Sequence, residues 1–128
     1  MVTKTKPRAP KGIILFAHGS RNAAWRKPFD RLLKQVQTQG SAPAVLAFGE
    51  FMTPTMSEAA QALARTGVKR AVVVPLFLGG GAHVRGDVPR LTLEATAASG
   101  VKLKIARAIG EDAATLAAMA RYCLAVGK

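Results

Sequence analysis

Strand-like and helix-like segments alternate four times along this chain, and this alternation restricts its fold more than any other feature of the sequence. The strand-like segments are short, mainly apolar and contain β-branched residues, which is typical of buried strands in a parallel sheet. The four predicted strands span residues 12–17, 44–49, 70–78 and 101–106. The four predicted helices span residues 23–39, 55–67, 88–99 and 111–126.

The helical segments carry their own start, stop and burial signals. The first presents one apolar face and stops at Gly40, and the second opens with a capping box between Thr55 and Glu58. Asp87 is a possible N-cap of the third helix. The last helix presents one apolar face, and we expect Cys123 on it to pack in the core. This face consists of Leu116, Met119, Ala120, Cys123 and Leu124.

An alternating β-α order predicts an α/β fold, with a four-stranded parallel sheet and helices on both faces. Because crossovers between parallel strands are right-handed, few strand orders remain, and we predict the flavodoxin-like order 2-1-3-4. In this order the topology switches between the first and third strands. Ligands of open parallel sheets bind at such a point, beyond the carboxyl ends of the strands.

Length and composition are those of one folded domain, since 49% of the 128 residues are hydrophobic and 20% are charged. We assign residues 12–128 to a single α/β domain and residues 1–11 to a disordered basic leader. No apolar run approaches the roughly 18 residues that span a bilayer, and the first is too short for a signal peptide. A single cysteine forms no internal disulfide. We therefore expect a cytoplasmic protein without a membrane partner.

The formal net charge of +12 attracts polyanions, such as nucleic acid, an anionic membrane surface or an acidic small molecule. Nucleic-acid binding has little further support, because only 5% of the residues are aromatic and no nucleic-acid-binding signature is present. We therefore expect no nucleic-acid partner. A basic surface that is merely solvated remains an alternative to an acidic ligand.

Three side chains that bind metals or carry protons follow three different strands. His18 comes directly after the first strand, Glu50 after the second, and His83 lies in the loop after the third. Two imidazoles with a nearby carboxylate suit Co²⁺, Ni²⁺, Fe²⁺ or Zn²⁺, and so small a ligand set suits an ion that must be handed on. A histidine can also take protons from a substrate.

Three consecutive glycines, Gly79, Gly80 and Gly81, interrupt the pattern after the third strand. The chain has no Gly-x-x-x-x-Gly-Lys-Ser/Thr motif, which excludes a P-loop, and no Gly-x-Gly-x-x-Gly after the first strand to support a dinucleotide site. We interpret the glycines as part of a wide loop at the edge of the site, and this loop carries His83 and Arg85. Purely structural roles remain open, with the histidines as loop residues and Glu50 as a solvated carboxylate.

Three segments together resemble the CbiX-type sirohydrochlorin chelatases. They are residues 17–21 (AHGSR), Glu50 followed by Pro54, and residues 75–89 (PLFLGGGAHVRGDVP). The similarity covers essentially the whole predicted domain. It implies insertion of a divalent metal ion, Co²⁺ in the first place, into sirohydrochlorin on the route to cobalamin. Related members of the family insert Fe²⁺ or Ni²⁺.

The resemblance also implies roles for individual residues. His18 and His83 correspond to the catalytic histidines that hold the metal, and Glu50 to the acidic catalytic residue. No organic cofactor is implied, and short members of the family are expected to pair as homodimers around the tetrapyrrole. Because sirohydrochlorin carries carboxylates around its rim, a positive cleft is expected as well. The predicted substrate-binding residues are Ser20, Arg21, Gly79, Gly80, Gly81 and Arg85.

Other function classes differ in what they require. A module that carries a metal or tetrapyrrole without turnover is the main alternative, because the sequence does not separate carrying from insertion. A histidine phosphatase also has His-Gly after its first strand, but it needs an arginine where this chain has Ala17. A nucleic-acid binder that relies on the basic leader would lose affinity steeply with salt and would not need His18.

Overall fold

A computed structural model of the chain describes residues 10–79, 81 and 86–128. Its strands are β1 (Lys11–Ala17), β2 (Ala44–Phe48), β3 (Arg70–Pro75) and β4 (Lys102–Ile105). In the described part of the chain they form one parallel sheet in the order β2-β1-β3-β4. The predicted fold class and strand order are therefore confirmed.

The main helices are α1 (Lys27–Gln39), α2 (Met56–Arg65), α3 (Val88–Ser99) and α4 (Ala113–Val126). A 3₁₀ turn over Ala23–Arg26 precedes α1, so the α-helix begins later than predicted. Pro28 lies in the first turn of α1, where its missing N–H leaves no hydrogen bond unmade. None of the described helices is long and apolar enough to cross a membrane.

Strand β3 ends at Pro75 rather than at the predicted residue 78. Pro75 has no N–H to donate to the ladder, and the last bond to β1 runs from the Leu76 N–H to the Phe16 carbonyl oxygen at 2.8 Å. The chain then leaves the sheet. The residues that were predicted to continue the strand therefore lie beyond the carboxyl edge of the sheet and can line the space there.

Side chains along β1 alternate between two hydrophobic layers. Leu15 and Ala17 belong to the layer covered by α1 and the turn before it, whereas Ile14 and Phe16 belong to the layer covered by α2 and α3. The covering side chains of the first layer are Trp25, Phe29, Leu32, Leu33 and Val36. Those of the second layer include Met56, Ala59, Ala60, Leu63, Val88 and Ala95. Helices therefore cover both faces of the sheet, as predicted.

The amino ends of three neighbouring strands carry a row of cations. Lys11 of β1 is in register with Arg70 of β3, and Arg70 is in register with Lys102 of β4. All three residues are exposed. The row lies at the edge opposite to the carboxyl ends of the strands, where the ligand site was expected.

None of the residues of helix α4 is buried in the described part of the chain. Cys123, predicted to pack in the core, is an exposed free thiol. The helix follows the short strand β4, and within the described residues no element buries its apolar side chains. The most exposed large hydrophobic residues of α4 are Leu116, Tyr122, Leu124 and Val126.

The start of α4 is fixed by Asp112, so the α-helix begins after the predicted residue 111. The Thr115 backbone N–H and hydroxyl both donate to the Asp112 carboxylate at 3.0 Å. The backbone bond from Thr115 is the main reason why the pKa of Asp112 lies below its usual value.

Asp87 does not cap α3 as predicted. Its backbone already has helical angles (φ −69°, ψ −43°), whereas an N-cap residue is extended, and its side chain makes no capping hydrogen bond. Its carboxylate instead lies 3.8 Å from the Arg90 guanidinium.

The predicted capping box of α2 is present in full. The Glu58 N–H donates to the Thr55 hydroxyl at 3.2 Å, and the Thr55 N–H donates to the Glu58 carboxylate at 2.8 Å. Two N–H groups that the helix itself cannot satisfy are thereby bonded. The box fixes the point at which the chain turns from the β2 loop into α2.

We expect Thr55→Ala to lower the free energy of unfolding by about 1 kcal/mol, because it removes the acceptor for the Glu58 N–H. Urea denaturation would measure the loss. Thr38→Ala is the matched control, since the Thr38 hydroxyl donates to the Gln35 carbonyl oxygen of its own helix and caps no helix N-terminus. Equal losses in the two variants would contradict a capping role for Thr55.

Candidate functional site

A cleft of about 160 Å³ opens at the carboxyl ends of the strands. His18, directly after β1, and Glu50, after β2, both line it, so the structure brings these two predicted site residues together. The cleft lies beside the switch in strand order between β1 and β3, where open parallel sheets bind ligands. Among the described residues, those that line the cleft are Phe16, His18, Gly49, Glu50, Phe77, Asp87, Val88, Arg90 and Leu91.

Backbone hydrogen bonds tie the loops after β1 and β2 to each other. The His18 carbonyl oxygen accepts from the Gly49 N–H at 3.1 Å and from the Glu50 N–H at 2.9 Å. Gly49 also donates to the Ala17 carbonyl oxygen at 2.9 Å. The relative position of the two loops that carry His18 and Glu50 is thus set by main-chain hydrogen bonds.

Gly19 makes this close contact between the loops possible. Its φ of +99° is a conformation that glycine adopts far more readily than other residues. A Cβ at this position would overlap the carbonyl oxygen of Glu50. Gly19 therefore serves both the turn after His18 and the approach of the β2 loop.

The His18 ring stacks on Phe77, with centroids 4.2 Å apart and planes inclined by 23°. Phe77 is buried and meets Phe16 edge-on, at a centroid distance of 6.0 Å. The Phe77 carbonyl oxygen accepts from the Gly110 N–H at 2.9 Å, and a Cβ on Gly110 would overlap the Leu78 backbone. Phe77 is therefore held from two sides and presents a fixed surface to the imidazole.

Helix α3 supplies the opposite wall of the cleft, with Asp87 and Arg90 among its lining residues. The Arg90 guanidinium contacts the Glu94 carboxylate at 3.3 Å and the Asp87 carboxylate at 3.8 Å. These groups are exposed, so the ion pairs contribute little to stability. The cleft thus contains one imidazole, two carboxylates and one guanidinium. The imidazole nitrogens and the carboxylate oxygens can each bind a metal ion or accept a proton.

A complete metal centre is not formed by the described residues. Within residues 10–79, 81 and 86–128, no three His, Cys, Asp or Glu side chains are grouped closely enough to hold an ion. His83, the second predicted metal ligand, lies outside the described residues, as do Gly80 and Arg85. The pairing of the two histidines therefore stays a prediction from the sequence.

The remaining predicted binding residues occupy the loops around the cleft. The Ser20 hydroxyl accepts from the Asn22 N–H at 3.0 Å and so shapes the turn after β1. The Arg21 guanidinium lies over the Phe51 ring. Gly79 is exposed, and Gly81 has a φ of +57°.

Three cleft features escaped the sequence analysis. Phe77 is hidden in an apolar run that was predicted to be strand, and Gly110 carries no motif. Asp87 was singled out as a possible helix cap and was not among the predicted site residues. An isolated glycine in the segment between the last strand and the last helix was the one available signal for Gly110, because such a glycine can mark a close backbone approach.

We expect Gly19→Ala to destabilise the protein by more than the roughly 1–3 kcal/mol of backbone strain alone, because the new methyl group also pushes against Glu50. Gly67→Ala is the matched control, since Gly67 has a similar φ of +87° but open space around it. Urea denaturation of both variants would isolate the loop contact. Equal destabilisation would show that the overlap with Glu50 is relieved at no cost.

Residues 12–123 of the chain match the CbiX family. The crystal structure of a CbiX protein from Marinobacter aquaeolei superposes with a TM-score of 0.80 and 32% identity, covering 92% of this chain and 97% of that one. The sirohydrochlorin chelatase SirB from Bacillus subtilis subspecies spizizenii, solved with cobalt, gives a TM-score of 0.73 and 26% identity. That match covers 80% of this chain but 45% of SirB.

Curated relatives carry one name, sirohydrochlorin cobaltochelatase. The protein from Sulfurisphaera tokodaii is 34% identical over 103 residues, which are 79% of this chain and 81% of that protein. The one from Methanopyrus kandleri is 35% identical over 80 residues, or 62% of this chain. The chain spans a little over half of the M. kandleri protein, 56% of its length. The extent of the family match and the Marinobacter structure lead to one conclusion: this chain belongs to the CbiX family.

Proposed function

We propose that this protein is a sirohydrochlorin chelatase, a lyase that inserts a divalent metal ion into the macrocycle. The observation that carries the proposal is the joint position of His18 and Glu50 in one cleft at the carboxyl ends of the strands of a CbiX-family fold. The names of the relatives from S. tokodaii and M. kandleri support it.

The metal ion is a substrate, and Co²⁺ is the ion we propose first. Cobalt is named for these relatives and is bound in the Bacillus SirB structure, whereas another SirB structure holds Fe³⁺. Fe²⁺ and Ni²⁺ remain the alternative substrates, because imidazole and carboxylate ligands accept all three ions. No organic cofactor takes part in the proposed reaction.

His18 and His83 are the proposed metal ligands. Insertion of M²⁺ into the macrocycle displaces two pyrrole N–H protons, so the site must give up an ion and take up protons in the same place. A neutral imidazole does both in turn, since the nitrogen that releases the metal is then free to accept a proton. The stacking of His18 on Phe77 keeps its ring in one orientation throughout.

Glu50 is the proposed second proton acceptor, and its carboxylate also attracts the dication. Its backbone N–H donates to the His18 carbonyl oxygen, and both residues line the same cleft. Asp87 adds a further negative charge on the opposite wall. An ion that enters the cleft is thus drawn toward the position from which it is transferred.

The substrate is held through its rim. The carboxylates of sirohydrochlorin pair with basic and backbone donors around the cleft, and the proposed binding residues remain those of the sequence analysis: Ser20, Arg21, Gly79, Gly80, Gly81 and Arg85. Binding energy from the distant carboxylates can offset the cost of bending the macrocycle and stripping water from the metal. We place the reaction in the cytoplasm, where an exposed free thiol such as that of Cys123 stays reduced.

A second copy of the chain is the proposed partner in a homodimer. Helix α4 leaves Leu116, Tyr122, Leu124 and Val126 between 48% and 71% exposed, and Arg121 is its one charged residue. A helix of this composition normally packs against another surface. SirB is about twice as long as the segment that matches this chain, so a second copy would supply a comparable second half.

We expect His18→Ala to lower kcat/KM for Co²⁺ insertion at least ~100-fold, because it removes both a metal ligand and a proton acceptor. The measurement is the change in the absorbance spectrum of sirohydrochlorin with Co²⁺, Fe²⁺ or Ni²⁺ under anaerobic conditions, against a no-protein control. Glu50→Gln should also be slowed, whereas the matched variant Glu94→Gln, outside the cleft lining, should not.

Three outcomes of this assay separate the alternatives. Acceleration that depends on His18 supports the chelatase. A protein-induced shift of the tetrapyrrole band without acceleration would instead indicate a carrier. Full activity of the His18→Ala protein would refute the assigned site.

We expect the wild-type protein to run as a dimer in size-exclusion chromatography with light scattering, and Leu124→Glu to shift it toward the monomer, because the charge cannot be buried in an apolar interface. Leu93→Glu is the matched control, since Leu93 on α3 is 74% exposed and Leu124 is 71% exposed. A monomeric wild type, or equal effects of the two variants, would exclude α4 as the pairing surface.

A further inference from the structure

Phe51, the residue after Glu50, adopts a conformation that is unfavourable for an aromatic side chain. Its φ is +64°, and the Met52 N–H donates to the Glu50 carbonyl oxygen at 2.8 Å, which closes a tight turn around it. A bulky residue at positive φ costs on the order of 1–3 kcal/mol. Phe51 is also 55% exposed, so burial of its ring does not offset this cost. Such strain is common where a side chain serves a ligand.

Arg21 stacks on this exposed ring. Its guanidinium carbon lies 4.3 Å from the Phe51 centroid, within cation–π distance. Among the described residues, Arg21 forms no ion pair. A guanidinium that stacks through its face keeps its N–H donors in the plane, where they can bind a carboxylate with two parallel hydrogen bonds.

Arg26 shows what a structural arginine looks like in the same region. It too lies over an aromatic ring, 5.0 Å from the centroid of Phe48. Its donors, however, are already bonded to the Asp30 carboxylate at 3.2 and 3.3 Å and to the Thr53 carbonyl oxygen at 3.2 Å. The N–H donors of Arg26 are therefore bonded within the protein. Among the described residues, no hydrogen-bond acceptor is bonded to the Arg21 guanidinium.

The Arg21–Phe51 pair joins the two loops that carry the cleft residues His18 and Glu50. Arg21 follows His18 by a short turn, and Phe51 follows Glu50 directly. The bond from the Glu50 N–H to the His18 carbonyl oxygen connects these two segments. The pair is thus held at a fixed position relative to the two residues proposed to perform the chemistry.

We propose that Phe51 is a positioning residue for Arg21, and that the two form a binding platform for the anionic rim of the tetrapyrrole. The ring holds the guanidinium so that its in-plane donors meet a peripheral carboxylate of the macrocycle. Without the ring, Arg21 must lose side-chain entropy each time it binds. This inference rests on the proposed function, because it takes sirohydrochlorin as the ligand.

The test is a double-mutant cycle on the intact protein, with two readouts: absorbance titration of metal-free sirohydrochlorin, and KM and kcat for Co²⁺ insertion. Phe51→Asn removes the ring but tolerates positive φ, so the melting temperature should stay the same or rise. We expect Kd and KM to rise about 3-fold, the size of an exposed cation–π contact, with kcat nearly unchanged. Phe51→Tyr keeps the ring and should behave as wild type.

Arg21→Gln should raise Kd about 10-fold or more, because it removes a hydrogen bond between charged groups. The double variant should bind no more weakly than Arg21→Gln alone, since Phe51 acts through Arg21. Arg70→Gln, which removes an exposed arginine at the opposite edge of the sheet, is the matched control and should leave Kd unchanged.

Several results would overturn the platform. These are additive effects of the two substitutions, an unchanged Kd in Phe51→Asn, an Arg70→Gln effect as large as that of Arg21→Gln, or a wild type that does not bind the tetrapyrrole. The titration also distinguishes this inference from the proposed function. A wild type that binds the macrocycle without inserting metal refutes only the chelatase, whereas insertion that is indifferent to Phe51 refutes only the platform.

Discussion

The site depends on a main-chain contact between two loops that follow neighbouring strands. One carbonyl oxygen, that of His18, accepts two N–H groups from the β2 loop, and Gly19 leaves the space that this approach needs. Parallel strands alone bring their carboxyl ends to one edge, at a spacing of about 5 Å between neighbours. The loop contact converts this approximate proximity into a defined separation between the imidazole and carboxylate residues. Side chains that bind metal need such support, because the ligand geometry has to be correct before the ion arrives.

A second support acts on the imidazole itself. Phe77 stacks on the His18 ring and is in turn held by the Gly110 N–H and by Phe16. Residues from the ends of β1, β2 and β3 and from the segment after β4 thus converge on one histidine. This convergence explains why residues without any chemistry of their own, such as Gly19 and Gly110, are positions where a methyl group would collide with backbone.

The strand order and the two hydrophobic layers could be predicted because periodicity and short crossovers leave few alternatives. The capping box of α2 was equally local, since Thr55 and Glu58 meet within one helical turn. Asp87 was misjudged because a side chain type favours a cap but the backbone angles decide whether it forms one. Cys123 was misjudged because an apolar helix face indicates burial without saying whether the covering residues come from the same chain. Phe51 could not be found at all, since positive φ at an aromatic residue is imposed by the loop and carries no sequence signal.

The row formed by Lys11, Arg70 and Lys102 has a consequence for the response to ionic strength. Like charges in register on neighbouring strands repel one another, and dissolved ions screen this repulsion because all three groups are exposed. The same ions would weaken the proposed attraction between Arg21, at the other edge of the sheet, and an anionic ligand. If Arg21 binds an anionic ligand as proposed, salt therefore acts with opposite signs at the two ends of the strands: it stabilises the fold by screening repulsion at one end and weakens ligand binding at the other.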